Sequence, residues 1–133
     1  VGFIRDLPHS LVDAFHATLE VATHADLLLH VVDSASHARD EQVDEVNKVL
    51  REIGADCVKQ LVVWNKIDLT EAQPGVERGV YGNIARVRVS ARTGEGLDLL
   101  RESLAEYARA KAEARQKAVA EAENEAQHRG GDR

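Results

Sequence analysis

Methionine is absent from the 133 residues, and the chain opens on Val1. A sequence without an initiator residue is expected to be a fragment or a processed piece. The single cysteine, Cys57, excludes an internal disulfide, and no metal-ligand pattern surrounds it. It reads as a small packing residue at the edge of an apolar run. Long hydrophobic runs are missing too. The longest, Leu27 to Val32, is interrupted by His30 and falls far short of the roughly 18 residues needed to span a bilayer. The opening also lacks the basic, apolar and small-residue succession of a secretory signal, so a cytoplasmic compartment and no membrane partner are expected. Net positive charge is lacking as well: 17 Lys and Arg stand against 23 Asp and Glu, for a net of -6. That balance argues against a protein held to nucleic acid by bulk charge; no DNA partner is expected, and any RNA contact must be local. The six histidines form no His-x-x-x-His pair on a helix, so no metal site is assigned.

What is present reads as one α/β domain. Ser10 and Asp13 form a capping-box pattern ahead of Leu11, Phe15 and Leu19 at helical spacing, with Ala14 and Ala22 beside them, which predicts a helix over about 10–24. Residues 25–33 form an apolar run of strand length without alternation, the pattern of a buried parallel strand. Ser34 and Ser36 can cap a following helix whose apolar positions Val43, Val46, Leu50 and Ile53 continue until Gly54 supplies a stop. A second strand is predicted over 58–64. A long polar connection over 65–83, containing Pro74 and several turn residues, leads to a third strand over 84–89. After Gly94 and Gly96, a helix carries Leu97, Leu100, Leu104 and Tyr107. Beyond 108 the chain is alanine and charge, with Val119 as its one large aliphatic residue, and cannot build a core. The domain is therefore bounded at 1–107. The tail over 108–133 is expected to be a frayed, solvated helix supported by pairs such as Glu113 with Lys117, rather than a coiled coil or a fully disordered segment. Trp64 is read as core, Arg5 and Asp6 as surface residues.

The chemistry concentrates at two loops that follow predicted parallel strands, where ligands of open α/β sheets sit. Asn65-Lys66-Ile67-Asp68 resembles the Asn-Lys-x-Asp guanine-specificity motif of GTPases. A carboxylate such as Asp68 can accept two hydrogen bonds, and guanine presents two adjacent donors, N1–H and the exocyclic amine, whereas adenine does not. Ser90-Ala91-Arg92, 22 residues beyond Asp68, resembles the Ser-Ala-Lys loop of the same superfamily, with arginine in place of the commoner lysine. The resemblance implies that Lys66 lays its stem along the base, Asn65 ties neighbouring loops together, the Ala91 N–H meets the guanine carbonyl oxygen, and the Ser90 hydroxyl steadies Asp68. Asn-Lys-x-Asp alone arises by accident in a chain this long about 1 to 2% of the time; requiring the strands, Ser-Ala, Gly-x-Gly and the helix in order lowers that to ~0.1%.

The opening fifteen residues, Val1-Gly-Phe-Ile-Arg-Asp-Leu-Pro-His-Ser-Leu-Val-Asp-Ala-Phe15, and the run Ala25-Asp-Leu-Leu-Leu-His-Val-Val-Asp33 closely resemble the HflX family of ribosome-associated GTPases, over residues 1 to about 104. In that family the opening belongs to an Asp-Thr-Val-Gly-Phe stretch. The resemblance makes Gly2 the glycine whose N–H meets the γ-phosphate and puts Phe3 where Ras-like enzymes keep a water-orienting glutamine. A phenyl ring cannot orient water, so slow intrinsic hydrolysis, stimulated by a partner, is expected. No Gly-x-x-x-x-Gly-Lys-[Ser/Thr] occurs anywhere in the chain, so the β- and γ-phosphate cradle and the Mg²⁺ hydroxyl ligand are not among these residues.

These readings converge on an incomplete three-layer α/β P-loop GTPase domain, Ras-like, contributing the second switch and the last three parallel strands, followed by a charged helical tail. The strand at 27–32 is expected to leave a bare sheet edge. The implied ligand is GTP or GDP, with Mg²⁺ held by residues outside the chain; the implied partner is the large ribosomal subunit; the implied reaction is GTP hydrolysis by the intact protein, with the 133 residues alone inactive. Two alternatives stay open: a GTPase-like interaction module that has lost hydrolysis, and a related GTPase of the Obg or Era type. Sequence upstream of Val1 discriminates among them.

Overall fold

A computed structural model of the chain describes residues 17–131. The predicted capping box at Ser10 and Asp13, and the apolar positions Leu11, Ala14 and Phe15, lie outside those residues. The chain divides into two compact units, Val1–Leu97 and Asp98–Arg133.

Within the first unit the described chain begins on a short helical stretch that tightens into a 3-10 turn over Glu20–His24. It then enters a four-stranded sheet built from β1 (Leu28–Asp33), β2 (Gln60–Asn65), β3 (Gly75–Arg78) and β4 (Ile84–Arg88), in the order β1-β2-β4-β3. β1 pairs parallel with β2, from Leu28 against Gln60 to Asp33 against Asn65, and β2 pairs parallel with β4. The carboxyl ends of all three strands therefore come out on one side of the sheet, with Asp33, Asn65 and the Val89–Ser90 turn next to one another. β1 is an edge strand of the described sheet, in line with the expected open edge.

Helix α1 (Arg39–Glu52) returns the chain from β1 to β2. Its apolar positions recur at helical spacing, and Val49 and Leu50 are buried. It ends as the glycine predicted. Gly54 sits at φ +77, donating its N–H to Arg51 O at 3.1 Å, while Ala55 N–H reaches Leu50 O at 2.8 Å. That pair of bonds is the Schellman arrangement, which requires a left-handed residue that glycine supplies without a Cβ penalty. The start differs from expectation. The N-cap is Ala38, without a side-chain cap bond; Ser36 Oγ accepts from Ala38 N–H, but Ser34 Oγ donates to Asn65 O in the next strand. Ser34 thus ties two strand ends together instead of capping the helix.

Four further features depart from the sequence reading. The connection between β2 and β4 is not a plain loop: it contains a 3-10 turn over Ile67–Leu69 and the short strand β3, which runs antiparallel to β4 from Gly75 opposite Arg88 to Arg78 opposite Ile84. The sheet is therefore mixed. β1 alternates after all, with His30 and Val32 buried while Leu29 and Val31 are 44% and 60% exposed. Cys57 is exposed, not a packing residue. Trp64 is only partly buried and has two guanidinium groups over its ring, Arg39 at 4.3 Å and Arg86 at 3.8 Å from the centroid, both cation–π contacts. Arg86 and Arg88 also both pair with Glu77, at 3.1 and 3.0 Å, which fastens β3 to β4 on the same side as the indole.

The second unit is one helix, α2 (Leu97–Gly130), 34 residues long. It continues unbroken through the alanine and charge of 108–130, and every residue from 112 to 131 is exposed. No helix among the described residues is long and apolar enough to cross a membrane.

Candidate functional site

β2 delivers Asn65 to the carboxyl side of the sheet, and the chain must then turn sharply. It does so through Lys66 at φ 66, ψ 32, which is left-handed and the one such non-glycine residue described. A side chain held there costs roughly 1 kcal/mol or more and persists where surrounding contacts fix it. Two contacts fix this one. The next residue, Ile67, is almost fully buried and donates its N–H to Val89 O at 3.3 Å. Lys66 itself places Nζ 2.9 Å from Asp33 Oδ2 at the end of β1. The 3-10 turn then lifts Asp68 to the surface.

β4 delivers the second loop. Val89 N–H donates to Trp64 O at 2.8 Å, locking the two strand ends in register. Ser90 follows, fully buried. Its hydroxyl donates to Asp68 Oδ1 at 2.8 Å and accepts from Thr93 N–H at 3.2 Å. Ala91 N–H donates to Asn65 Oδ1 at 3.0 Å. The loop closes on itself through Gly94 N–H to Ser90 O and Ser90 N–H to Glu95 O, both 2.8 Å. Gly94 and Gly96 stand at φ +87 and +80. At Gly96 a Cβ would press into the Arg88 carbonyl oxygen and come within 3.1 Å of Val89 Cα, so glycine is required there by contact as well as by φ.

The two loops are thus one construction. Ser90 reaches across to Asp68, Asn65 reaches back to Ala91, and buried Ile67 and Ser90 anchor the whole beneath an exposed rim of Lys66, Asp68, Ala91 and Arg92. Six residues singled out in the sequence, Asn65, Lys66, Asp68, Ser90, Ala91 and Arg92, share this rim or its support. Gly2 and Phe3 lie outside the described residues.

Two contributors escaped the sequence reading. Asp33 holds Lys66, and Ser34 donates both its hydroxyl and its N–H to Asn65 O, the latter at 3.1 Å. Their signal was position: they close the strand that neighbours β2, on the same side of the sheet. The Lys66 ammonium holds the Asp33 carboxyl below the usual carboxylate range, opposed by desolvation and helped further by the Ala35 N–H. On β1 itself, burial pushes the His30 imidazole below its ordinary value, partly opposed by a hydrogen bond with Gln60.

Chemically, the rim offers a carboxylate with one oxygen already oriented by a buried hydroxyl, an ammonium on a flexible stem, and a backbone turn fixed by a side-chain amide. Such a set suits recognition of a planar polar ligand edge. Among the described residues no group of three or more His, Cys, Asp or Glu is placed to hold a metal ion.

No protein-family model matches the chain. Among curated proteins it is similar to the GTPase HflX of Caldanaerobacter subterraneus subsp. tengcongensis, 47% identical over 104 residues, covering 78% of this chain and 23% of that protein. Against the GTPase HflX of Escherichia coli it is 47% identical over 107 residues, covering 80% and 25%. Against the GTPase HflX of Chlamydia pneumoniae it is 40% identical over 101 residues, covering 75% and 21%. The chain spans about a quarter of the length of these relatives.

Proposed function

We propose, for a chain that belongs to the HflX GTPase family and corresponds to about a quarter of its relatives' length, that it reads the guanine base of GTP for the intact protein. The observation that carries this is the Ser90–Asp68 hydrogen bond at 2.8 Å. A fully buried hydroxyl donating to Oδ1 limits how the carboxylate can turn, and its remaining acceptor positions serve two adjacent N–H donors, the pattern of guanine N1–H and N2. The Ala91 N–H, which family resemblance assigns to the guanine carbonyl oxygen, donates to Asn65 Oδ1 at 3.0 Å and must exchange that partner to take up the role, while the Lys66 stem covers one face of the base. A buried or oriented acceptor left unpaired is costly, so a site of this kind rejects a base lacking those donors by about 10⁴-fold.

The reaction of the intact protein is GTP hydrolysis, in keeping with the name its relatives bear. Mg²⁺ and the phosphates are assigned to residues outside this chain, which has no Gly-x-x-x-x-Gly-Lys-[Ser/Thr] run, and the 133 residues alone are expected not to turn over GTP. Gly2 at the γ-phosphate, Phe3 in the water-orienting place and the large ribosomal subunit as partner rest on family resemblance.

The test is a calorimetric titration of the intact protein with GTP, inosine triphosphate and ATP. Loss of the exocyclic amine in inosine should weaken binding about 10- to 100-fold, and ATP should bind at least 10³-fold more weakly than GTP. Equal binding of GTP and ATP would exclude Asp68 as the reader of the base.

A further inference from the structure

The structure turns the alanine and charge of 108–130 into one continuous helix, exposed throughout except at the half-buried Lys111. That continuity fixes which residues share a face. At spacings alternating 4 and 3, Ala108, Ala112, Arg115, Val119, Ala122 and Ala126 line one stripe of α2, the period of a helix–helix seam. Alanine at four of the six positions lets two backbones come close towards the ends of the stripe, and Arg115 and Val119 share its middle.

Charge is what selects the occupant. Between 108 and 117 the helix has Arg109, Lys111, Arg115 and Lys117 against Glu113 alone; between 118 and 127 it has Glu121, Glu123 and Glu125 and no basic residue. The residues flanking the stripe repeat this division, with Arg109 seven residues from Gln116 and fourteen from Glu123 on one side, and Lys111, Ala118 and Glu125 in the same relation on the other. In a parallel pair these flanks would set no acid against a base. In an antiparallel pair centred near residue 117, Ala112 meets Ala122 of the other copy, Arg115 meets Val119, and both flanks match at once: Arg109 faces Glu123, and Lys111 faces Glu125, each twice by symmetry.

We propose that the exposed half of α2 is a self-association surface, occupied by the same helix of a second copy of this chain in antiparallel orientation. The seam is thin, because alanine buries little area, so the charged flanks set both the orientation and much of the affinity. The association is therefore reversible and sensitive to salt.

The test is sedimentation of the full 133-residue chain alongside three variants: Glu123→Lys with Glu125→Lys, Arg109→Glu with Lys111→Glu, and all four changes together. The chain should dimerise at low salt, with its dissociation constant rising about 10-fold or more in high salt. Each double variant should weaken dimerisation by about 10-fold or more, since four pairs are lost and replaced by like charges. The fourfold variant, in which every pair is reversed, should dimerise as the original does, which separates loss of pairing from loss of folding. A chain that stays monomeric throughout, or one whose association is undiminished in both double variants and so belongs to another surface such as the open edge of β1, would overturn the proposal.

Discussion

Lys66, at the one left-handed non-glycine position described, reaches from the end of β2 to the neighbouring β1 to place its ammonium 2.9 Å from the carboxylate of Asp33. Both side chains are partly exposed, so the pair adds little to global stability, less than about 1 kcal/mol by analogy with other surface pairs. Its effect is positional: it fixes the stem of Lys66 where the proposed site needs an apolar wall.

The same pair gives a pH prediction. The folded Asp33 carboxyl titrates below its unfolded value because Lys66 stabilises the anion. The contribution is therefore fully present above about pH 5 and is lost as pH falls through the depressed folded value. Asp33→Asn should flatten the pH dependence of urea unfolding below about pH 4, and an NMR titration should place the Asp33 carboxyl below the ordinary range. An unshifted carboxyl would break the link to Lys66.

His30 predicts an acid weakness at higher pH. Burial disfavours its charged form, so the unfolded chain takes up a proton that the folded chain resists. The sign follows: stability is retained above about pH 6.5 and falls as pH drops below it toward the folded value. His30→Leu should reduce the loss of stability between pH 7 and pH 5. An identical slope in the variant would assign that loss to other groups.

Removing the hydroxyl of Ser90 strips one partner from Asp68 and leaves the Thr93 N–H without its acceptor. Ser90→Ala should cost about 1 to 3 kcal/mol in unfolding free energy and weaken GTP binding by the intact protein about 10-fold. Unaltered GTP affinity, with the stability loss present, would make Ser90 a structural residue only.

The two loop glycines separate strain from contact. Gly94 stands at φ +87 with open space around the Cβ position, and Gly96 at φ +80 with backbone in the way. Gly94→Ala should cost about 1 kcal/mol, the ordinary left-handed penalty. Gly96→Ala should cost at least about twice that and displace the Ser90 turn. Equal costs, read by urea unfolding, would show that the Arg88–Val89 backbone yields freely.

Much of the fold was legible in the residues. Buried parallel strands followed by polar loops announced β1, β2 and β4, and Asn65, Asp68 and Ser90 announced the two loops that the structure joins. β3 was not legible because Gly75–Arg78 is a four-residue edge strand beginning just after Pro74; it is held by the Glu77 ion pairs and by Arg88 Nε donating to Gln73 O at 2.8 Å, contacts that leave no hydrophobic period. The exposure of Leu29 and Val31 was hidden for a related reason: an apolar residue type does not say whether anything covers it. Trp64 looked like core by type, yet two arginines from separate elements stack on it. Asp33 and Ser34 read as the end of a strand and the cap of a helix, because their partner, the Asn65 loop, is about thirty residues away and only the parallel register brings it near.

The most direct measurement is calorimetry of the intact protein bearing Asp68→Asn, titrated with GTP and with xanthosine triphosphate. Xanthine has a carbonyl oxygen where guanine has its amine, and the amide of asparagine offers a donor to that oxygen while still accepting from N1–H. GTP affinity should fall by at least about 100-fold, and xanthosine triphosphate should become the preferred ligand. GTP binding unchanged by the substitution would contradict the assignment of Asp68 as the residue that reads the base.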